Sequence, residues 1–231
     1  MEAYLDNSAT TRVDAQVQEL MKKLMDVDFG NPSSRHQKGV VAEGYIKEAR
    51  QKIAATLKVD PKELIITSGG TESNNMALIG TALAAKRKGN HIITTAVEHP
   101  SVKATASFLE EQGFRITFLS VDSRGQISLE DLKEALTPDT ILVSIMYVNN
   151  EIGTIQPVEE AAKLVHATVP GAVFHVDAIQ AFGKMEIRPK KDNIDILTVS
   201  GHKIHGPKGS GFIYIKKNTK INPIILGGGQ Q

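Results

Sequence analysis

The chain has 231 residues, room for one large domain or two small ones at about 150 residues each. With 41% hydrophobic and 23% charged residues it has the composition of a folded globular protein, which excludes a disordered chain. Its 27 Lys plus Arg against 26 Asp plus Glu leave a net charge of +1, no electrostatic footprint for nucleic acid or an anionic membrane, and the absence of cysteine excludes disulfides, cysteine-held metal centres and thiol nucleophiles within these residues.

No apolar run approaches the ~20 residues of a membrane-spanning helix. The opening MEAYLDNSATT carries neither a basic region nor an apolar run, so no secretory signal is expected and the cytoplasm is the default location. In chain order, two early helices are expected over roughly Asp14–Val27 and His36–Leu57, separated by the irregular Asp28–Ser34. The segment before about Tyr45 reads as an arm rather than part of a sheet. Leu64–Thr67 is strand-like and is followed by Gly69-Gly70-Thr71 and a helical pattern from Glu72 to Lys88. His91–Thr95 is a second strand, with a helix from about Ser101 to Gln112, and Arg115–Val121 is a third. Ser128 and Asp131 form a capping signal for a helix reaching Leu136. Ile141–Met146 is a fourth strand, Pro157 suits the first turn of a helix to about Thr168, and Val173–Val176, Ile194–Val199 and Gly211–Ile215 are three more strands. Alternation of strands and helices through short links predicts an α/β fold with a mostly parallel central sheet flanked by helices.

In such a sheet, ligands bind beyond the carboxyl ends of the strands. The first strand is followed by Ser68-Gly69-Gly70-Thr71, the second by Glu98 and His99, and the fourth by Asn149 and Asn150. The fifth is followed by Asp177 and Gln180, and the sixth by Ser200-Gly201-His202-Lys203. The polar groups therefore converge on one sheet edge, and that convergence says more than any single motif.

Each member has a plainer alternative. Gly69-Gly70-Thr71 can offer backbone N–H groups and a hydroxyl to a phosphate at a helix N-terminus, or be an ordinary strand-to-helix turn with a Thr cap. It lacks both the Walker ending and the dinucleotide-binding glycine spacing. Asp177 ends a strand and needs a partner, which is either a cap or ion pair or the ring nitrogen of a bound pyridine. Lys203 follows an apolar strand and is a candidate for a lowered-pKa amine that forms a Schiff base, or a solvated loop lysine, with Lys208 as its rival. His99 can stack on a flat cofactor and move protons, or serve the structure. His202 and His205 form only an incomplete metal pair, so no metal is expected. A lysine for an aldehyde, an acid for a ring nitrogen, a phosphate site and a histidine together describe a pocket for pyridoxal 5′-phosphate.

At this point the chain resembles the class V aminotransferase-like, fold-type I pyridoxal-phosphate enzymes, and among them the cysteine desulfurases of the NifS/IscS type. The matching segments are Asp6–Thr11, Phe29–Ser34, Thr67–Asn74, Glu98-His99, Asn149–Gly153, His175–Ala178 with Gln180, and Ser200 through Gly209. The resemblance implies an N-terminal arm over residues 1–14 and a cofactor-binding large domain over 15–231. It implies that Lys203 binds the cofactor aldehyde and later transfers a proton, and that His99 stacks on the ring and assists acid–base steps. By the same resemblance Asp177 pairs with the ring nitrogen and Gln180 reaches the phenolic oxygen. Gly70, Thr71, Ser200 and His202 bind the phosphate, and Asn150 faces the substrate side.

Family members take sulfur from L-cysteine, release L-alanine, and supply iron–sulfur cluster assembly or thiolated nucleotides. Family chains are longer, continuing past the Gly-Gly-Gly-Gln stretch into an Arg-Ser-Gly-Thr motif and a small domain with the nucleophilic cysteine loop. The expectation is therefore a cofactor-binding portion, either completed by a second polypeptide or a truncated product, acting as a homodimer or with a chain carrying the C-terminal half. An iron–sulfur scaffold or sulfur-acceptor protein is a further expected partner. The alternatives are a related lyase of the selenocysteine type or other aminotransferase-like enzyme, and a non-catalytic scaffold.

Overall fold

A computed structural model describes residues 3–227; the first two residues of the expected arm and the last four of the expected domain, including Gly228 onward, lie outside the described residues. The helices are α1 (Ala15–Asp26), α2 (Gln37–Leu57), α3 (Gly70–Ala85), α4 (Pro100–Glu111), α5 (Leu129–Ala135) and α6 (Val158–Thr168). The strands are β1 (Leu64–Thr67), β2 (His91–Thr95), β3 (Arg115–Leu119), β4 (Thr140–Met146), β5 (Val173–Asp177), β6 (Ile196–Ser200) and β7 (Gly211–Ile215). They form one seven-stranded sheet in the order β1-β7-β6-β5-β4-β2-β3.

The pairs β3–β2, β2–β4, β4–β5 and β5–β6 are parallel, whereas β7 runs antiparallel to both β6 and β1. A short link can only fold a chain back on itself, so the ten residues between β6 and β7 give an antiparallel pair, while parallel pairs need crossover helices. Two reversals cancel, so β1 points the same way as β6. The carboxyl ends of β1, β2, β4, β5 and β6 therefore share one edge.

The inner parallel strands β2, β4 and β6 bury both faces, which is why they read as near-continuous apolar runs, whereas β3 at the sheet edge is partly exposed. Successive residues point to opposite sides. Ile92, Leu142, Ile196 and Ile213 pack with Ala77, Leu78 and Val102 of α3 and α4. Their neighbours Ile93, Val143, Leu197 and Tyr214 pack with Ala54, Leu57, Leu132 and Val165 of α2, α5 and α6. Helix α1 contributes no buried residue, and among the described residues no strand precedes Leu64, consistent with the early segment lying off the sheet. No helix among the described residues is long and apolar enough to cross a membrane.

The local signals mostly held and the boundaries moved. Asp14 caps α1 through Gln16 N, and Ser128 caps α5 through Asp131 N. Helix α3 begins at Gly70, two residues before the expected start, because the turn itself enters the helix, and it ends at Ala85 rather than Lys88. Helix α4 begins at Pro100 and is capped by His99. The third strand stops at Leu119; Val121 instead makes an isolated bridge to Ile127. Strands β5 and β6 run one residue past their expected ends, so Asp177 and Ser200 belong to the strands.

Phe174 is fully buried in the middle of β5, immediately upstream of the edge where the polar groups gather. Phe174→Ala is expected to lower the unfolding free energy by about 3–5 kcal/mol, measured by denaturant titration, because the cavity left behind cannot close in so tightly packed a layer.

Candidate active site

The shared strand edge carries a cavity of about 470 Å³, within the range of small-molecule sites. Gly70 and Thr71 reach it from the β1–α3 turn, His99 from the end of β2, and Asn150 from the loop after β4. Asp177 and Gln180 come from β5 and the turn after it, and Ser200, His202 and Lys203 from β6 and its following 3₁₀ turn. All nine residues singled out in the sequence thus line one cavity. The rival Lys208 and His205 do not; His205 Nδ1 instead lies 3.0 Å from the Arg12 carbonyl. Among the described residues no group of three or more His, Cys, Asp or Glu is arranged to hold a metal.

Asp177 is a buried carboxylate whose Oδ1 accepts from Ile179 N (3.0 Å) and whose Oδ2 accepts from Asn74 Nδ2 (2.8 Å). Burial pushes its pKa up, opposed by these two donors and by the nearby His99 and Lys203. No cation lies within ion-pair distance of it among the described residues. The Lys203 amine is lowered from its ordinary value by burial and by Lys184, with Asp6 and Asp177 opposing. Its Nζ donates to the carbonyls of Ser8 (2.5 Å) and Ala9 (2.7 Å). Gln180 Nε2 also donates to Ser8 O (2.8 Å), and Gln180 Oε1 accepts from Lys184 Nζ (3.2 Å). Burial and the neighbouring Lys203 and Lys208 lower the His202 imidazole, whose Nδ1 lies 3.1 Å from Thr10 Oγ1.

At the helix N-terminus, the first-turn N–H groups of α3 have no carbonyl partner within the helix. Gly69 adopts φ +145°, open to glycine alone, to bring that terminus to the edge. A Cβ on Gly70 would collide with the Ile179 side chain, so the turn and the segment after Asp177 are packed directly together. Glu72 folds back to accept from Ser68 N (2.7 Å) and Ser68 Oγ (2.5 Å).

Two polar residues after strand ends face inward instead. Asn149 donates to Val97 O (2.9 Å) and accepts from the N–H groups of Glu151 and Ile152, pinning the loop that presents Asn150. Glu98 is fully enclosed: Oε1 accepts from Thr95 Oγ1 (2.9 Å) and Met146 N (2.8 Å), while Oε2 is buried with no partner among the described residues. Burial first, and the charge of Asp177 second, push its carboxyl up to about 8. Sequence reasoning also missed cavity residues. Asp6, Ser8 and Ala9 come from the arm, and Ser101 from the first turn of α4. The arm acts through backbone carbonyls, which leave no side-chain signature, although Asp6–Thr11 had stood out as a motif.

The class-V aminotransferase domain matches residues 3–231, and the chain belongs to that family. The fold is the large domain of the fold-type I pyridoxal-phosphate enzymes: a NifS-like protein superposes with a TM-score of 0.97 at 44% identity, covering 100% of this chain and 63% of that one. More specifically, the chain is similar to cysteine desulfurases. It is 50% identical over 228 residues to the putative cysteine desulfurase IscS 1 of Bacillus subtilis (strain 168), covering 99% of this chain and 60% of the relative. It is 49% identical over 230 residues to the cysteine desulfurase IscS of Dictyoglomus turgidum, covering 100% of this chain and 58% of the relative. The structure of SspA in complex with cysteine matches with a TM-score of 0.95 at 41% identity, covering 99% of this chain and 66% of that one. The chain thus spans 60% and 58% of the length of these two curated relatives.

The state of Glu98 gives a pH signature. Its folded value near 8 lies above the ordinary 4.5, so between these limits the folded chain keeps a proton that the unfolded chain releases, and stability falls as pH rises through that window. Glu98→Gln, which keeps the acceptor oxygen and removes the titration, is expected to flatten the fall by up to about 1.4 kcal/mol per pH unit in denaturant unfolding between pH 5 and 8. An unchanged slope would show that Glu98 titrates alike in both states.

Proposed function

We propose that the cavity binds pyridoxal 5′-phosphate and L-cysteine and that the chain is the cofactor-binding part of a cysteine desulfurase. The single observation that carries this reading is the convergence of an amine, a buried carboxylate, an imidazole and a helix N-terminus, delivered by four strand ends, on one cavity. The donor set fits the cofactor. Asp177 is a buried carboxylate open to the cavity with no cation in ion-pair reach among the described residues, which suits a protonated ring nitrogen. The α3 N-terminus with Gly70, Thr71, Ser200 and His202 suits a phosphate. Bound there, the cofactor supplies an electron sink for bond cleavage at the amino acid.

The chain's own residues have distinct tasks. Lys203 provides an amine biased toward its neutral form by burial and Lys184, able to bond an aldehyde and afterwards to carry a proton. His99 forms a wall of the cavity and offers a ring face and a nitrogen. Gln180 supplies an amide beside Lys203, and Asn150 lines the cavity from the loop held by Asn149. The net reaction takes the sulfur of L-cysteine to an acceptor thiol, giving a persulfide and L-alanine. No cysteine occurs in these 231 residues, so the acceptor thiol belongs to a further segment or to a second chain. In this reading residues 1–14 act as an arm over the domain of residues 15–231. A cytoplasmic location, a homodimer and delivery of sulfur to iron–sulfur assembly or thiolated nucleotides accompany it as consequences of the resemblance.

Titration of the chain with pyridoxal 5′-phosphate is expected to give a visible absorption band that Lys203→Ala removes while the far-ultraviolet circular dichroism is unchanged. Asp177→Asn is expected to weaken cofactor binding by about tenfold or more, as loss of a charged partner does. A folded chain with no Lys203-dependent band overturns the cofactor reading. With a chain carrying an acceptor thiol present, stoichiometric alanine from L-cysteine supports desulfuration, and its absence removes the substrate reading.

A further inference from the structure

Beneath the cavity runs a continuous buried string of side chains that the proposed chemistry does not use. Ser144 Oγ lies 2.8 Å from His175 Nδ1, and His175 Nε2 lies 3.3 Å from Thr198 Oγ1. Thr198 Oγ1 donates to Asn74 Oδ1 (2.6 Å). Asn74 Nδ2 donates both to Asp177 Oδ2 (2.8 Å) and to Ser101 Oγ (2.9 Å). Ser101 Oγ in turn lies 2.8 Å from His99 Nδ1. Ser144, His175, Thr198, Asn74, Ser101 and Asp177 are all buried, so the bonds among them are shielded from bulk water, and only the last bond, to the half-buried His99, reaches the cavity wall.

The directions are forced from the active-site end. Asp177 as a carboxylate can only accept, so the nitrogen of the Asn74 amide faces it and the oxygen faces Thr198. Thr198 gives its only proton to that oxygen and must accept from His175 Nε2–H, which leaves His175 Nδ1 to accept from Ser144. Burial holds His175 neutral, with its pKa lowered to about 3, as a single proton on the ring requires. On the other branch, Ser101 Oγ accepts from Asn74 and its hydroxyl proton points to His99 Nδ1. His99 Nδ1 also accepts from Ser101 N (3.1 Å), because His99 is the N-cap of α4. Two donors on one nitrogen leave no place for a proton there, so the ring proton sits on Nε2, which bonds no group among the described residues.

We propose that Asn74 is a positioning residue that, through its one amide, fixes the interior-facing oxygen of Asp177 and, through Ser101, the orientation and Nε2–H tautomer of His99. The inference deepens the cofactor reading, on which its purpose rests: it presents to the cavity a carboxylate with a defined lone pair and an imidazole with a defined proton. The titratable groups acting on Asp177 are His99 and Lys203, which favour its charge, while Asp177 itself raises the nearby Glu98 carboxyl. None of them can supply the buried neutral donor that Asn74 does.

The test uses the full chain, labelled with ¹⁵N and ¹³C and without added cofactor. Long-range ¹H–¹⁵N correlation is expected to place the neutral-ring proton of His99 on Nε2, with the resonance assigned by its loss in His99→Gln. A proton on Nδ1, or a mixture of tautomers, overturns the proposal without any variant having to fold. Asn74→Leu keeps the volume and removes the amide, and the protonation midpoint of Asp177, followed by its carboxyl ¹³C resonance, is expected to rise by on the order of one pH unit. Should that variant not fold, Thr198→Val, which frees the amide to turn, is expected to shift the midpoint in the same sense. An unchanged midpoint in a folded variant means that Asn74 only packs. These readouts are independent of loading: a chain that passes them but gains no Lys203-dependent band keeps this inference and loses the cofactor reading.

Discussion

The buried carboxylate of Asp177 is the constraint around which the cavity is arranged. An ionised group taken from water costs several kcal/mol unless it is paired or hydrogen-bonded. It ends a strand in the middle of the sheet, flanked by β4 and β6, so its satisfaction must come from neighbouring elements. One donor is local, the Ile179 N–H of the turn that follows. The other is Asn74, on the second turn of α3 and distant in sequence by 103 residues. That bond requires α3 to lie close against the end of β5, and the contact between Gly70 and Ile179 is where the close approach is made. The same approach brings the α3 N-terminus to the cavity, so the place offered to an anion and the place offered to a cationic ring nitrogen are fixed by one packing event.

The site contains a second carboxyl with the opposite fate. Glu98 and Asp177 are both enclosed, burial pushes both up, and the charge of Asp177 raises Glu98 further. Asp177 has two donors, and the nearby His99 and Lys203 favour its charged form. Glu98 has two donors on one oxygen and nothing on the other. Environment therefore separates two chemically similar groups, one suited to carry charge at neutral pH and one suited to hold a proton. The neutral member ties the end of β2 to Met146 on β4, the two strands between which the chain changes its direction of winding, where open α/β sheets bind ligands.

Much of this was legible in the sequence because the sheet converts linear order into position. Once strands β1, β2, β4, β5 and β6 are recognised by their apolar runs, the residue after each must fall on one edge, and His99, Asn150, Asp177 and Lys203 follow from that rule. What did not follow is informative. The direction of β7 could not be read from composition, since its five residues are as apolar as those of a parallel strand. Glu98 and Asn149 sit at strand ends like the cavity residues, yet turn inward, because side-chain direction depends on loop geometry that periodicity does not encode. Asn74 and Ser101 lie in helices, where a polar residue ordinarily means solvent, and only the packing of α3 on α4 and β6 reveals them as interior donors.

The arm makes the same point from the backbone side. Thr11 binds the His202 carbonyl through both its N–H and its hydroxyl (each 2.8 Å), and Asp14 N donates to His205 O (3.0 Å), so the arm is fastened to the loop that carries Lys203. From that anchor the Ser8 and Ala9 carbonyls reach the Lys203 amine. Two carbonyls take two N–H groups of a lysine whether it is charged or neutral, so they orient the amine, and as acceptors they favour its charged form. The charge is decided by burial and Lys184 on one side and by Asp6 and Asp177 on the other. The arm thus takes part in both the orientation and the protonation of one nitrogen. Carbonyl contacts come from any residue whose backbone is in the right place, so what the sequence must specify at the arm is its attachment through Thr11.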